Sequence, residues 1–139
     1  MITFKTVKVC FLLIVVFVNI FYIAPCYSLV LREDLFKNAL ELSSNGKFNL
    51  ALQEWNRYLD AYPDDAAGLS NRGNVRLVIG DIEGSIDDQN KAISLNPSEI
   101  DPYINRGIAE EALGQWSQAK KDYMFVISQD SKNFSALYN

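Results

Sequence analysis

The stretch "LSNRGNVRLVIGD", from Leu69 to Asp81, returns 34 residues later as "YINRGIAEEALGQ", from Tyr103 to Gln115. Both copies contain Asn-Arg-Gly, and seven residues after that glycine a second one follows, Gly80 or Gly114. The same spacing upstream of Gly80 places Gly46 in an earlier copy. Self-similarity at a fixed period of this length predicts a repeat architecture.

At a period of 34 the sequence divides without insertion into three units and the start of a fourth: 32–65, 66–99, 100–133 and 134–139. Apolar residues recur at three- and four-residue spacing, as at Leu35, Ala39 and Leu42, which predicts two helices of about 13 residues per unit. Glycine is expected to end each first helix, because it adopts the left-handed backbone without steric cost. Pro63 and Pro97 end second helices, because proline cannot continue a helix interior. The sequence therefore predicts an all-α fold.

A 34-residue helix–turn–helix unit with small residues at its eighth and twentieth positions resembles the tetratricopeptide repeat (TPR) family. The resemblance implies a TPR solenoid over residues 32–139, after a hydrophobic leader, and a role in protein–protein interaction. The usual proline is Ser131 in the third unit. In the first unit Tyr58 replaces the usual alanine at position 27, which implies looser packing there. The wording "DPYINRG" is most similar to bacterial, cyanobacterial and plastid-lumen members.

The resemblance also implies that the first helices line a concave groove for a partner protein or an extended peptide. The residues predicted to line it are Asn71, Asn74, Leu77, Ile104, Asn105, Ile108 and Asn139. Three of these asparagines occupy one repeat position and would form a ladder. An amide offers both a donor and an acceptor to a peptide unit, which suits backbone recognition. The alternative is that the asparagines bond neighbouring helix ends or face water.

Two further ligand sites are not predicted on the repeats. Some family members bind chaperone tails with a clamp of lysines and arginines along the groove. Phe36, Ser70 and Ile104 stand where those cations are expected, so the resemblance implies no clamp here. Trp55 and Trp116 lie at core positions of their helices, which favours packing over stacking on a ligand.

The charged residues of the repeats are interpreted as structural. Arg72 and Arg106 are expected to pair with nearby acids such as Glu110. The carboxylate pairs 87–88 and 110–111 lack any histidine, glycine-loop or metal-loop context, and a solvated helix face is the expected setting for them.

The N-terminus has the pattern of an export signal. Residues 9–24 are almost entirely apolar and follow Lys5 and Lys8, which is typical of a secretory signal peptide over residues 1–28. If it is retained, residues 9–31 are long enough to anchor the chain in a membrane. We therefore expect localisation across a membrane, in a periplasm, a thylakoid lumen or outside the cell. Membrane contact is expected only through this segment.

Composition excludes several function classes. Without Lys5 and Lys8, 11 basic residues face 17 acidic ones, a net charge of −6, and no basic cluster is present, so nucleic acid is not an expected partner. Both cysteines, Cys10 and Cys26, belong to the leader region, and the chain has no histidine. Histidine-dependent catalysis and histidine-ligated zinc are thus excluded. We expect no enzyme activity, no catalytic residue, no cofactor and no metal.

The C-terminal end determines which alternatives stay open. Repeat arrays need a final unit with a polar outer face, yet only six residues follow the third unit to cover "YMFVI", Tyr123–Ile127. This predicts a truncated product, or an edge completed by a partner or by self-association. The favoured function is a protein-binding adaptor or assembly factor. The alternatives are a structural or oligomeric scaffold, or the regulatory arm of a larger protein.

Overall fold

A computed structural model describes residues 24–129, with side chains from residue 31 onward. This part contains six α-helices and no strand, which confirms the all-α prediction: α1 Ala24–Ser44, α2 Phe48–Ala61, α3 Ala66–Val78, α4 Ile82–Leu95, α5 Asp101–Ala112 and α6 Trp116–Gln129. None of these helices is both long and apolar enough to cross a bilayer. Most of the predicted leader, residues 1–23, and the predicted fourth-unit start with Asn139 lie outside the described residues.

The chain divides into two compact units, Met1–Leu35 and Phe36–Asn139. Of the first unit, the structure describes only the beginning of α1. The second unit contains the helix pairs and every contact discussed below.

Each helix pair turns at the glycine that the sequence indicated. Gly46, Gly80 and Gly114 have φ angles of 71°, 89° and 72°, a left-handed backbone that favours glycine. The residue after each glycine donates its backbone N–H to a carbonyl five residues earlier, as in Lys47 N to Leu42 O at 2.9 Å. These bonds satisfy the last carbonyls of the first helix and close the turn.

Aspartates begin two of the helices. The side chain of Asp65 accepts the backbone N–H of Gly68 at 2.9 Å at the start of α3, and Asp81 does the same for Gly84 at 3.1 Å at the start of α4. Helix α5 instead has Pro102 in its first turn, where the missing N–H costs nothing. Local sequence thus fixes both ends of most helices.

Small and bulky residues complement each other within each pair. Ala39 lies at the position of Gly73 and Gly107, and Trp55 lies at the position of Gln89 and Tyr123. A Cβ atom on Gly107 would lie 2.5 Å from the Tyr123 ring, so that ring occupies the space over the glycine. Trp55 is fully buried, as predicted for a core position.

The packing around Tyr58 corrects one expectation. Tyr58 is 1% exposed, and its hydroxyl donates to Asp65 at 2.6 Å, so the packing there is not loose. The ring fits because the next unit places Gly68 against it, where a Cβ atom would lie 2.8 Å from the ring. Phe36 contacts the same ring edge to face, with centroids 5.3 Å apart.

The prediction for Trp116 is wrong. Its side chain is 66% exposed, whereas Phe48 and Ile82 at the same repeat position are half-buried. Phe48 borders a cavity against Val75 of the following first helix. The residues that would follow α6 in register lie outside the described part of the chain.

Candidate functional site

Two adjoining cavities lie along the first helices of the pairs. The larger, about 410 Å³, lies between α3 and α5, and the smaller, about 230 Å³, lies between α1 and α3. Asn71 and Asn74 border both cavities, so α3 forms their common wall. We call this pair of cavities the first-helix groove.

The predicted groove residues divide into those that border these cavities and those that do not. Asn71, Asn74, Ile104 and Asn105 border the larger cavity. Leu77 and Ile108 border neither, although both keep some exposure. Asn139 lies outside the described residues, so the structure gives two members of the proposed ladder.

The two ladder asparagines form bonds within the repeats. Asn71 Nδ2 donates to the backbone oxygen of Ala67 at 2.8 Å, one turn earlier on α3. Asn105 Nδ2 donates across to Ser70 Oγ at 3.4 Å, which joins α5 to α3. Each bond uses one N–H of the amide, and the second N–H and the carbonyl oxygen suffice to pair with one peptide unit.

The two cavities differ in chemistry. The larger one is polar and has two carboxylates at its border, Glu99 and Asp101, with no lysine or arginine among the described residues that line it. The smaller one has apolar walls from Leu40, Phe48 and Val75, and none of its described lining residues is charged. The groove therefore offers backbone-binding amides between an acidic cavity and an apolar one.

Two arginines form a repeated fork that sequence reasoning described only in part. Arg72 donates through Nε and Nη2 to both carboxylate oxygens of Asp88, at 2.8 and 2.6 Å, and through Nη1 to Asn56 Oδ1 at 3.0 Å. The fork thus links three helices of two successive units. The pairing with an acid, as expected for Arg72, is confirmed.

The same fork recurs one unit later. Arg106 binds both oxygens of Asp122, at 2.7 and 2.6 Å, and its Nη1 donates to Asn90 Oδ1 at 2.7 Å. The hydrogen bonds to Asp122 raise the pKa of Arg106. The named partner was wrong, since Asp122 rather than Glu110 receives the fork. The detectable signal was the recurrence of Arg, Asp and Asn at one 34-residue spacing.

The solvated-face interpretation is wrong for two of the paired carboxylates. Asp88 is only 4% exposed because the fork encloses it, while its neighbour Asp87 is exposed as expected. Glu110 is also buried, and its Oε2 has no hydrogen-bond partner among the described residues. Burial and the nearby negative charge of Asp122 raise the pKa of Glu110, an effect that Arg106 and Lys121 oppose.

Curated relatives match most of the repeats but are much longer proteins. A FAM10 family protein of Arabidopsis thaliana is 33% identical over 92 residues, which are 66% of this chain and 21% of that protein. RNA polymerase II-associated protein 3 (RPAP3) of Xenopus laevis is 34% identical over 92 residues, 66% of this chain and 14% of that protein. No protein-family model matches the sequence.

Solved TPR domains share the fold. The first TPR domain of Spaghetti (RPAP3), bound to the HSP90 peptide SRMEEVD, has a TM-score of 0.74 and 28% identity, and the match covers 77% of this chain and 85% of that one. The second TPR domain of human RPAP3, in complex with the HSP70 peptide SGPTIEEVD, has a TM-score of 0.71 and 26% identity, over 75% and 87% of the two chains. The described helices therefore form a TPR solenoid, as the repeat pattern predicted.

Proposed function

We propose that this chain is an exported protein-interaction module, an adaptor or assembly factor, that binds an extended segment of a partner protein in the first-helix groove. The observation that supports this most is the meeting of two cavities at Asn71 and Asn74. An extended segment lying across both cavities would place a peptide unit beside these amides and side chains on either side of them.

The comparisons support peptide binding as the general mode. The neighbouring TPR domains of RPAP3 bind the peptides SRMEEVD and SGPTIEEVD of two chaperones. The proposed partner differs in chemistry from those acidic peptides, because no described lysine or arginine borders either cavity of the groove.

Export is part of the proposal and rests on the leader sequence. The apolar stretch at residues 9–24, after two lysines, suits a signal peptide or an anchor formed by residues 9–31. Protease protection in fractionated native cells tests the compartment, and the intact mass tests cleavage. A chain of full mass that is digested on the cytoplasmic side would contradict export.

A position-specific photocrosslinker tests the groove. A photoreactive residue replaces Asn74, which is exposed at the shared wall, or Lys120 on α6, which is exposed and borders neither cavity. We expect a discrete partner adduct in native cells from position 74 and none from position 120. The same adduct from position 120 alone would move the binding surface to the second helices.

One observation favours the scaffold alternative. Trp116 and Met124 are 66% and 61% exposed and lie eight residues apart on α6, so they share a face. Self-association through this face predicts a sedimentation coefficient that rises with concentration, and a smaller rise for Trp116→Ser, Met124→Ser. A monodisperse monomer at all concentrations would exclude the scaffold.

A further inference from the structure

We propose that the segment bound in the groove has a basic side chain, lysine or arginine, in the cavity between α3 and α5, and an apolar side chain in the cavity between α1 and α3. This inference rests on the proposed function and adds the chemical class of the partner. It differs from the acidic peptides that the RPAP3 domains bind.

The acidic cavity supports the basic side chain. Glu99 and Asp101 border it, and neither takes part in an ion pair with any described residue. The other polar groups at this border are amides and Ser70, whose oxygens also accept hydrogen bonds from a cation. A cavity bordered by charges of one sign attracts a ligand group of the opposite sign.

The neighbouring cavity supports the apolar side chain. Leu40 and Val78 border it and are 43% and 53% exposed, and Phe48 and Val75 form the rest of its apolar wall. Its polar border consists of two serines and the two shared asparagines. Covering this wall with an aliphatic or aromatic side chain removes apolar area from water without desolvating a charge.

The helix spacing sets the separation of the two side chains. Packed helices lie about 8–10 Å apart, so the two cavities are separated by roughly that distance. A polyproline-II segment advances about 3.1 Å per residue and returns to the same face every third residue. The favoured segment is therefore an apolar residue and a basic residue separated by two others, with the intervening peptide unit beside Asn71.

A displayed library of random heptapeptides, selected against the full chain in detergent, tests the proposal. Three forms of the chain are compared: wild type, Glu99→Lys with Asp101→Lys, and a control with Asp60→Lys and Asp87→Lys. The control has the same change in net charge, and both of its residues are exposed and lie outside the groove. Unchanged helicity of each variant is checked by circular dichroism.

We expect the wild type and the control to enrich lysine or arginine three residues from an apolar residue, and the groove variant to enrich aspartate or glutamate instead. A synthetic peptide from the wild-type selection should bind Glu99→Gln, Asp101→Asn about three- to fivefold more weakly, as for a pair of partly exposed charges. Its affinity for the wild type should fall with added salt.

The other outcomes separate the two proposals. Peptides that bind the wild type through Asn71 but show no basic preference, or an acidic one, would overturn the present inference and leave the proposed function intact. A charge-reversed preference in the control as well would show bulk charge rather than the groove, and would overturn the inference. No enriched peptide for any form would contradict peptide binding itself, and this inference with it.

Discussion

At Gly73 and Gly107 the same small residue faces different neighbours, and the neighbour determines what a methyl group would cost. A Cβ atom on Gly73 would lie 2.6 Å from the end of the flexible Gln89 side chain, which can move. On Gly107 it would lie 2.5 Å from the ring of Tyr123, which is buried and rigid. Alanine also gains about 1 kcal/mol in helix propensity over glycine, which offsets part of any clash.

We therefore expect Gly107→Ala to lower the free energy of unfolding by about 1–2 kcal/mol and Gly73→Ala to change it by less than about 0.5 kcal/mol. Urea denaturation followed by circular dichroism measures both. The pair serves as its own control, because each change adds one methyl group at the same repeat position. Equal effects would show that Tyr123 moves as easily as Gln89.

Glu110 gives the molecule a pH-dependent contribution to stability. Its pKa is raised in the folded state from an ordinary value near 4.5, so the folded chain binds this proton more tightly than the unfolded chain does. The contribution is fully present below that value and is lost as pH rises through the raised pKa. Above it, a charged carboxylate remains buried beside Asp122.

The substitution Glu110→Gln tests this effect. The unfolding free energy of the variant minus that of the wild type should become more favourable to the variant as pH rises from about 4 to about 7. Denaturation at several pH values gives this difference, and the contributions of the other carboxylates cancel in it. A difference that stays constant with pH would show that Glu110 titrates alike in both states.

At the scale of the helix pair, the arginine fork is present in two units and incomplete in the first. Asn38 occupies the position of Arg72 and Arg106, and Glu54 occupies that of Asp88 and Asp122. Glu54 Oε2 is buried without a hydrogen-bond partner among the described residues, and its ion pair with Arg57 is long, at 3.8 Å. The first unit thus has an acceptor for a fork but no arginine at the donor position.

Asn38→Arg should complete that fork and raise the free energy of unfolding by about 0.5–1.5 kcal/mol, as expected for a two-pronged bond between arginine and a carboxylate. Thermal denaturation measures the gain. In a Glu54→Gln background the same substitution should have a much smaller effect. An equal gain in both backgrounds would assign the effect to helix propensity instead.

The elements themselves were predictable because their signals are local. Apolar periodicity and the turn glycines depend only on nearby residues, so the sequence indicated the helix pairs and their breaks. The burial of Asp88 depends on an arginine one helix away, and the fit of Tyr58 depends on Gly68 in the next unit. Such partners across helices are invisible to a reading of one segment at a time.

At the scale of the whole molecule, the two faces of the described repeats use asparagine for different purposes. Asn71 and Asn105 lie in the groove, 34 residues apart. Asn56 and Asn90, also 34 residues apart, accept hydrogen bonds from the two arginine forks. The sequence pointed to the groove pair through family resemblance alone, whereas the fork pair became apparent only from the structure.

These two pairs provide matched variants for the binding proposal. Asn71→Ala, Asn105→Ala should abolish the adduct formed from position 74 and lower the free energy of unfolding by no more than about 1 kcal/mol, because each amide makes one bond at a partly exposed site. Asn56→Ala, Asn90→Ala should keep the adduct and lower stability by about 1–3 kcal/mol, because two bonds to charged guanidinium groups are removed.

Adduct yield in native cells and urea denaturation of the purified variants are the two measurements. The groove proposal requires them to separate, with binding lost in one double variant and stability lost in the other. If both variants lose the adduct in proportion to their loss of stability, the asparagines of the groove act through folding alone. If neither loses it, the partner does not contact the amides, and the segment is bound by the cavity walls on either side of them.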